Sequence, residues 1–319
     1  MNYFRLILFL MLTATMAQAQ TQNLRAATAS SYIERGNQWF AKGEYDRAIA
    51  DFGLAIASDP NGAGAYYNRG TAHCRKGDYD NALTDFNRAL QLDPRMVESW
   101  VDRAGLHYLK RDWDSAISDC TRAIELNPRL AQAYGNRGIA RMEKKDFAGA
   151  LTDFERALKL DAKLAQTWSD RGVVKYRMGN FAGAIADHTQ ALKLKPDFAE
   201  AYGDRGGARH ANGDAAGALA DYQRSIALNP KLHITYFNRA LIWRERGEWA
   251  QALVDFDQAI ALNPQHADAY CNHGLVRIRQ GDEIGAQRDF EQCLTVNPNL
   301  KASLERLINT ERAKITANK

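Results

Sequence analysis

The stretch Tyr66-Tyr67-Asn68-Arg69-Gly70, running on to Leu92-Asp93-Pro94, decides how this chain is read, because it keeps coming back. It returns in altered form at Tyr134-Gly135-Asn136-Arg137-Gly138 and at Tyr236-Phe237-Asn238-Arg239-Ala240. The prolines give the interval: Pro60, Pro94, Pro128, Pro196, Pro230, Pro264 and Pro298 are spaced by 34 residues or twice that, with Ala162 in the one empty slot. A fixed period of this size is the signature of stacked supersecondary units, each too small to bury its apolar face alone.

With proline at place 32 of 34, eight units run 29–62, 63–96, 97–130, 131–164, 165–198, 199–232, 233–266 and 267–300. Place 4 is aromatic throughout (Tyr32, Tyr66, Trp100, Tyr134, Trp168, Tyr202, Tyr236, Tyr270). Place 8 is glycine or alanine, place 20 is alanine from Ala48 to Ala286, and place 27 is alanine except for Ser225 and Cys293. Such spacings put the small and aromatic residues on one stripe of a helix, so each unit reads as two amphipathic helices. Gly43, Gly77, Gly179, Gly213, Gly247 and Gly281 mark the turn between them, where the backbone must become left-handed. The Asp or Asn that follows (Asp78, Asn180, Asp214, Asp282) is suited to capping the second helix, and Asn-Pro or Asp-Pro ends it.

This pattern of aromatic, Gly/Ala, Ala, aromatic, Ala and Pro resembles the tetratricopeptide repeat family over residues 29–300. The resemblance implies an all-α, right-handed α-solenoid of helix-turn-helix hairpins, the first helix of each pair lining a concave groove. It implies a protein-interaction scaffold and no enzyme, cofactor or metal. The residues agree with that much: no nucleophile elbow, phosphate-cradling glycine loop or His-Glu-x-x-His run occurs.

Residues 1–19 are of another kind. Arg5 precedes the apolar run Leu6–Leu12, and Ala17-Gln18-Ala19 has the small-x-small form that a signal peptidase cuts. A cleaved signal peptide is expected, with 20–28 as linker and an exported, periplasmic or secreted, mature chain. The formal charge is +4, and loss of Arg5 leaves 41 basic against 38 acidic residues. So balanced a chain lacks the basic stripe of a nucleic-acid binder, and no second apolar span follows. Residues 302–313, with Leu304, Leu307 and Ile308 on one face, read as a capping helix within the 301–319 tail.

Cys74, Cys120, Cys271 and Cys293 fall at unrelated places and match no zinc spacing. Cys271 and Cys293 share a unit and could bridge, but the favoured reading makes all four small core residues. His73 and His107 at place 11, where Trp39 and Trp243 stand elsewhere, and His188 at an aromatic place read as packing residues. Gly203, Gly206, Gly207, Gly213 and Gly217 read as close helix packing beside a widened groove. Arginine at place 7 (Arg35 to Arg239, then His273) recurs with aspartate at place 23 (Asp51 to Asp289). Paired at fixed offsets, these suggest a bidentate ladder holding neighbouring helices in register, against an arginine row that would bind anions.

Function is expected on the groove-facing places, which the resemblance puts at 2, 5, 6, 9, 12 and 13. Place 6 carries Asn68, Asp102, Asn136, Asp170, Asp204, Asn238 and Asn272, preceded by Glu34. A side-chain amide offers donor and acceptor together, so these residues form a candidate rail for the backbone of a protein segment or extended peptide; the competing reading makes them surface residues kept by duplication. Tyr67, Tyr108, Tyr176 and Phe237, with Phe40, are candidate apolar anchors. Arg75, Arg177 and Arg279 at place 13 would instead flank an acidic partner. Place 5 lacks the lysine that family members use to clamp a C-terminal carboxylate. The alternative function is an accessory subunit of envelope polysaccharide synthesis, export or envelope assembly, with a glycan as partner. Arg111 and Lys145 replace the turn glycine and Ala162 the proline, so an irregularity or bend is expected there.

Overall fold

In the computed structural model, residue 20 and residues 24–317 are described; the signal-peptide reading of 1–19 lies outside them. All regular structure among the described residues is helical. The chain divides into two compact units, Met1–Leu160 and Asp161–Lys319. The first holds α1 (24–41), α2 (Tyr45–Ser58), α3 (Ala63–Lys76), α4 (Tyr79–Leu92), α5 (Val97–Leu109), α6 (Trp113–Leu126), α7 (Ala131–Glu143) and α8 (Phe147–Leu160). The second holds α9 (Ala165–Arg177), α10 (Phe181–Leu194), α11 (Ala199–Ala211), α12 (Ala215–Leu228), α13 (His233–Glu245), α14 (Trp249–Leu262), α15 (Ala267–Arg279), α16 (Glu283–Val296), a 3-10 turn (Pro298–Leu300) and α17 (Lys301–Ala317). Within each unit the helices pack as antiparallel pairs that stack on the next pair, an all-α solenoid arrangement.

The hairpin is held by a ring on a bare backbone. A Cβ added to Gly70 would lie 2.8 Å from Phe86, and one on Gly138 2.6 Å from Phe154, so in these hairpins the place-24 ring packs directly on the bare backbone of the place-8 glycine. Where place 8 is Ala104, its place-24 partner is the smaller Cys120, whereas Ala240 is accommodated beside a fully buried Phe256. Ala82, Phe86 and Ala89 are fully buried on α4, as Ala150, Phe154 and Ala157 are on α8. Burial of such a side chain contributes roughly 1.5–3 kcal/mol, and repetition supplies the stability that no single hairpin has.

The caps follow the residue types. Side chains of Asp78, Asp112, Asn180, Asp214 and Asp282 accept the amides of Asn81, Ser115, Gly183, Gly217 and Gly285. The longer Glu44 and Glu248 make no such bond. Gly77 ends α3 at φ 79°, and Arg111 and Lys145 take φ 60° and 64°, so the two substituted turns keep the left-handed form. The Asp112 amide donates to His107 O and the Asp146 amide to Arg141 O, both at 2.9 Å, matching Asp78 to His73. At Ala162 the carbonyl accepts from Trp168 Nε1 at 2.9 Å, as Pro94 O does from Trp100 Nε1 at 3.0 Å. The irregularity expected at these three positions is therefore absent from their local geometry. Hydrogen bonds common to every repeat hold the turn, and the left-handed conformation costs a non-glycine residue only about 1–2 kcal/mol.

Cys271 and Cys293 form a disulfide between α15 and α16, with Cα atoms 5.5 Å apart. This corrects the reading of all four cysteines as small core residues: places 5 and 27 of one hairpin face each other. Cys74 and Cys120 stay free. The capping helix also departs from simple continuation of the stack. α17 packs chiefly on α15, burying Leu304 against Cys271, Leu275 and Ile278, which are groove-side places 5, 9 and 12. Arg279 pairs with Glu311, and Arg312 with Glu283 at 2.6 Å.

Candidate partner-binding groove

The groove stands on a polar frame. Arg35, Arg69, Arg103 and Arg137 in the first unit, and Arg171, Arg205 and Arg239 in the second, each grip the place-23 aspartate sixteen residues on through Nε and Nη2. Those aspartates are buried, Asp153 with 1% exposure. The place-4 aromatic lids each guanidinium, the Trp100 ring lying 4.7 Å from Arg103. The spare guanidinium nitrogen reaches back one repeat, from Arg103 to Asn87 at 2.7 Å and from Arg137 to Thr121 at 3.1 Å. This ladder is internal structure, and the anion-binding alternative falls because no such arginine is left unpaired among the described residues.

Place 11 belongs to the same frame, which the packing reading of His73 and His107 missed. Arg141 contacts Asp153 at 2.7 Å, Lys175 contacts Asp187 at 2.8 Å, and Trp243 Nε1 donates to Asp255 at 3.2 Å. His73 Nε2 lies 4.0 Å from Asp85, and His107 Nε2 lies 3.8 Å from Asp119. The varied residues Trp, His, Arg and Lys share one property, an N–H aimed at a buried carboxylate.

Above this frame the groove residues differ in how far the protein already uses them. In the first unit Tyr67 donates to Asp102 at 3.0 Å and its ring rests 5.8 Å from Phe86. Burial pushes the Asp102 carboxyl up, and burial beside Asp102 pushes the Tyr67 phenol up. Asn68 donates to Asn37 at 3.3 Å, and Tyr108 leans on Trp113 at 5.0 Å. Asn136 has no side-chain hydrogen bond among the described residues and stays half-exposed.

In the second unit Asp170 accepts from Gln166 at 2.8 Å, and burial pushes its carboxyl up to about 6. Asp204 is pushed up to about 6 as well, first by burial and then by the negative charges of Asp170 and Glu200. The Asp204 side chain is nonetheless exposed to solvent on its open side. A concave wall reconciles the two: the carboxylate keeps an open face while protein displaces most of its surrounding solvent. Phe237 is committed to the core, 5.9 Å from Phe256 and 4.5 Å from His266. Asn272 donates to Asp268 O at 2.7 Å and accepts from Arg244. Tyr176 is exposed and rests 5.4 Å from Phe181, while Asn238 has no side-chain hydrogen bond among the described residues.

Tyr176, Asp204 and Asn238 come together around a cavity of about 400 Å³ lined also by Val173, Arg177, His188, Gly203 and Gly207. The sequence reading did not single out this assembly. Its signal was the coincidence of glycine at places 5 and 9 of one repeat with histidine, in place of phenylalanine, at place 24 of the one before. Among the described residues no set of His, Cys, Asp or Glu could hold a metal ion, and no helix is long and apolar enough to cross a membrane.

Known proteins agree with this architecture. Models of the tetratricopeptide repeat match residues 63–96, 131–164, 169–233 and 267–300, and models described as TPR repeat match 36–77 and 241–281. No curated protein matches the chain. Among solved structures, a tetratricopeptide repeat protein from Parabacteroides merdae aligns with TM-score 0.62 at 18% identity, over 84% of this chain and 99% of that one. The APC/C Cut9–Hcn1 hetero-tetramer aligns with TM-score 0.66 at 14% identity, over 87% of this chain and 54% of that one. PilF of Pseudomonas aeruginosa aligns with TM-score 0.58 at 18% identity, over 65% and 94%. At these identities the likeness is one of fold. With repeat matches covering more than half of its length, the chain belongs to the tetratricopeptide repeat family.

Proposed function

We propose that the protein is a non-enzymatic scaffold that holds an extended segment of a protein partner in its groove. The carrying observation is the contrast between the two sets of polar residues. Every place-7 and place-23 charge is consumed internally, whereas Asn136, Asn238 and Asp204 keep their polar atoms free on the groove side. Free side-chain amides match the donor and acceptor of a peptide bond whatever the side chains attached. Such recognition needs neither a metal nor a nucleophile.

Export to the periplasm or beyond belongs to the same proposal. It is supported by the signal-like residues 1–19 and by the Cys271–Cys293 disulfide, a bond kept in oxidising compartments. The test is capture from cells with the mature chain as bait, against a variant carrying Asn136→Ala and Asn238→Ala. Loss of the captured partners from a variant with unchanged circular dichroism is expected; the same partners on both proteins would remove the amides from the binding surface.

A further inference from the structure

The second unit's cavity carries a more specific reading. Its charge is uncompensated: among the described residues Asp204 has no hydrogen-bond or ion-pair partner, and Asp170 has only the Gln166 amide. Elsewhere in the unit, the buried carboxylates Asp187, Asp221, Asp255 and Asp289 are each met by at least one Arg, Lys or His. Glu200 adds a further negative charge near Asp204. Arg177 also lines the cavity, but its guanidinium makes no ion pair with Asp204. Two like charges held near one another without a counterion are costly, and a cation arriving between them is correspondingly favoured.

The shape of the cavity agrees. Gly203 and Gly207 remove two side chains from the wall of α11, while Tyr176 and Val173 present apolar surface from α9. His188 forms part of the floor, fully buried, with Nδ1 3.2 Å from Ser169 Oγ and Nε2 without a partner. Burial holds that imidazole neutral, its pKa down to about 4, so it adds no positive charge to repel a cation. Resting on the peptide-groove reading above, we propose that this cavity receives a lysine or arginine side chain of the bound segment. Its aliphatic stem lies against Tyr176 and Val173, and its cationic head lies at Asp204. The Asn238 amide is left to pair with the backbone of the same segment.

The experiment uses immobilised pools of capped, extended heptapeptides with the central residue fixed as Lys, Arg, norleucine or Glu and the other positions randomised. The mature chain is applied to each pool, alongside Asp204→Asn and Gly207→Leu variants. The added side chain of the latter fills the cavity, and its Cβ would meet only the Tyr222 hydroxyl, at 3.8 Å. The proposal expects Lys and Arg pools to retain roughly tenfold more protein than the norleucine and Glu pools, the size of one charged hydrogen bond. Both variants should lose that preference with unchanged circular dichroism. Equal retention of all four pools by the wild type would overturn the cationic-pocket assignment and leave the groove reading standing. Failure to bind any pool would overturn both. A preference that survives in both variants would move the cation site elsewhere.

Discussion

Replacing Arg103 by alanine is expected to destabilise the first unit more than replacing Arg137, although both guanidiniums occupy place 7 of consecutive repeats. Arg103 holds Asp119 at 2.7 and 2.6 Å, and Arg137 holds Asp153 at 2.9 and 2.7 Å. Both carboxylates are buried. The difference is place 11, where Arg141 stands 2.7 Å from Asp153 but His107 only 3.8 Å from Asp119. Removing one partner of a buried pair costs about 3–5 kcal/mol, so about 3 kcal/mol is expected for Arg103→Ala, whose guanidinium keeps a little contact with water. For Arg137→Ala the charged hydrogen bond from Arg141 survives and is worth about 1.5–3 kcal/mol, which leaves a loss of about half the Arg103 value. Urea unfolding by circular dichroism would give the ranking. Hydrogen exchange in α5–α8 would localise it, since repeat arrays need not unfold as one. The double variant Arg137→Ala, Arg141→Ala should then fall at least as far as Arg103→Ala. Equal losses for the two single variants, or the larger loss for Arg137→Ala, would refute the shared role of place 11.

Other outcomes follow from the same geometry. His188 has its pKa lowered by burial, to about 4, so its contribution to stability is present at neutral pH and is lost as pH falls from about 6.5 towards 4. His188→Phe, which restores the ring of the neighbouring repeats, should flatten that acid loss in a melting series from pH 7 to 4.5; an unchanged slope would contradict it. Asp170 and Asp204 act in the opposite sense, because carboxyls raised to about 6 weaken the fold as pH rises through about 4 to 6. The pair Asp170→Asn, Asp204→Asn should therefore raise the melting temperature at pH 7.5 more than at pH 4.5, and the reverse order would count against the uncompensated site. Reduction of Cys271–Cys293, which closes a loop of 22 residues, should add two hydrogens to the intact mass and destabilise the α15–α16 hairpin by about 3 kcal/mol. Leu304→Ala should cost about 2–3 kcal/mol and free α17, visible as faster exchange of its amides.

The hairpins were legible because proline, glycine and alanine recur at places where the backbone or a facing ring favours them, even though Arg111, Lys145 and Ala162 show that single exceptions are tolerated. Gly70 under Phe86 and Gly77 at φ 79° are residues that write their structural role directly into the sequence. Arg and Asp at places 7 and 23 could be paired on paper because both recur at a constant offset. Place 11 could not, because Trp, His, Arg and Lys differ in size and charge and share only a donor. The turns at Arg111 and Lys145 looked irregular by residue type, yet the hydrogen bonds around them decide the geometry. Groove residues were harder still. Asn136 and Asn272 look alike in the sequence, but one is open and the other is held by the Arg244 guanidinium and the Asp268 carbonyl. The cavity depends on two glycines, a histidine and an aspartate from neighbouring repeats, a combination with no period to reveal it.

The central claim is that the groove-side amides, and not the backs of the helices, meet the partner. The most direct test places a photo-crosslinking amino acid at Asn136 or Asn238 in one pair of proteins and at the exposed Val254 of α14 in another. After irradiation in cells, the crosslinked peptides are sequenced by mass spectrometry. The account predicts partner peptides attached at each groove position and none at Val254. Crosslinks confined to Val254, with bare groove positions, would contradict it.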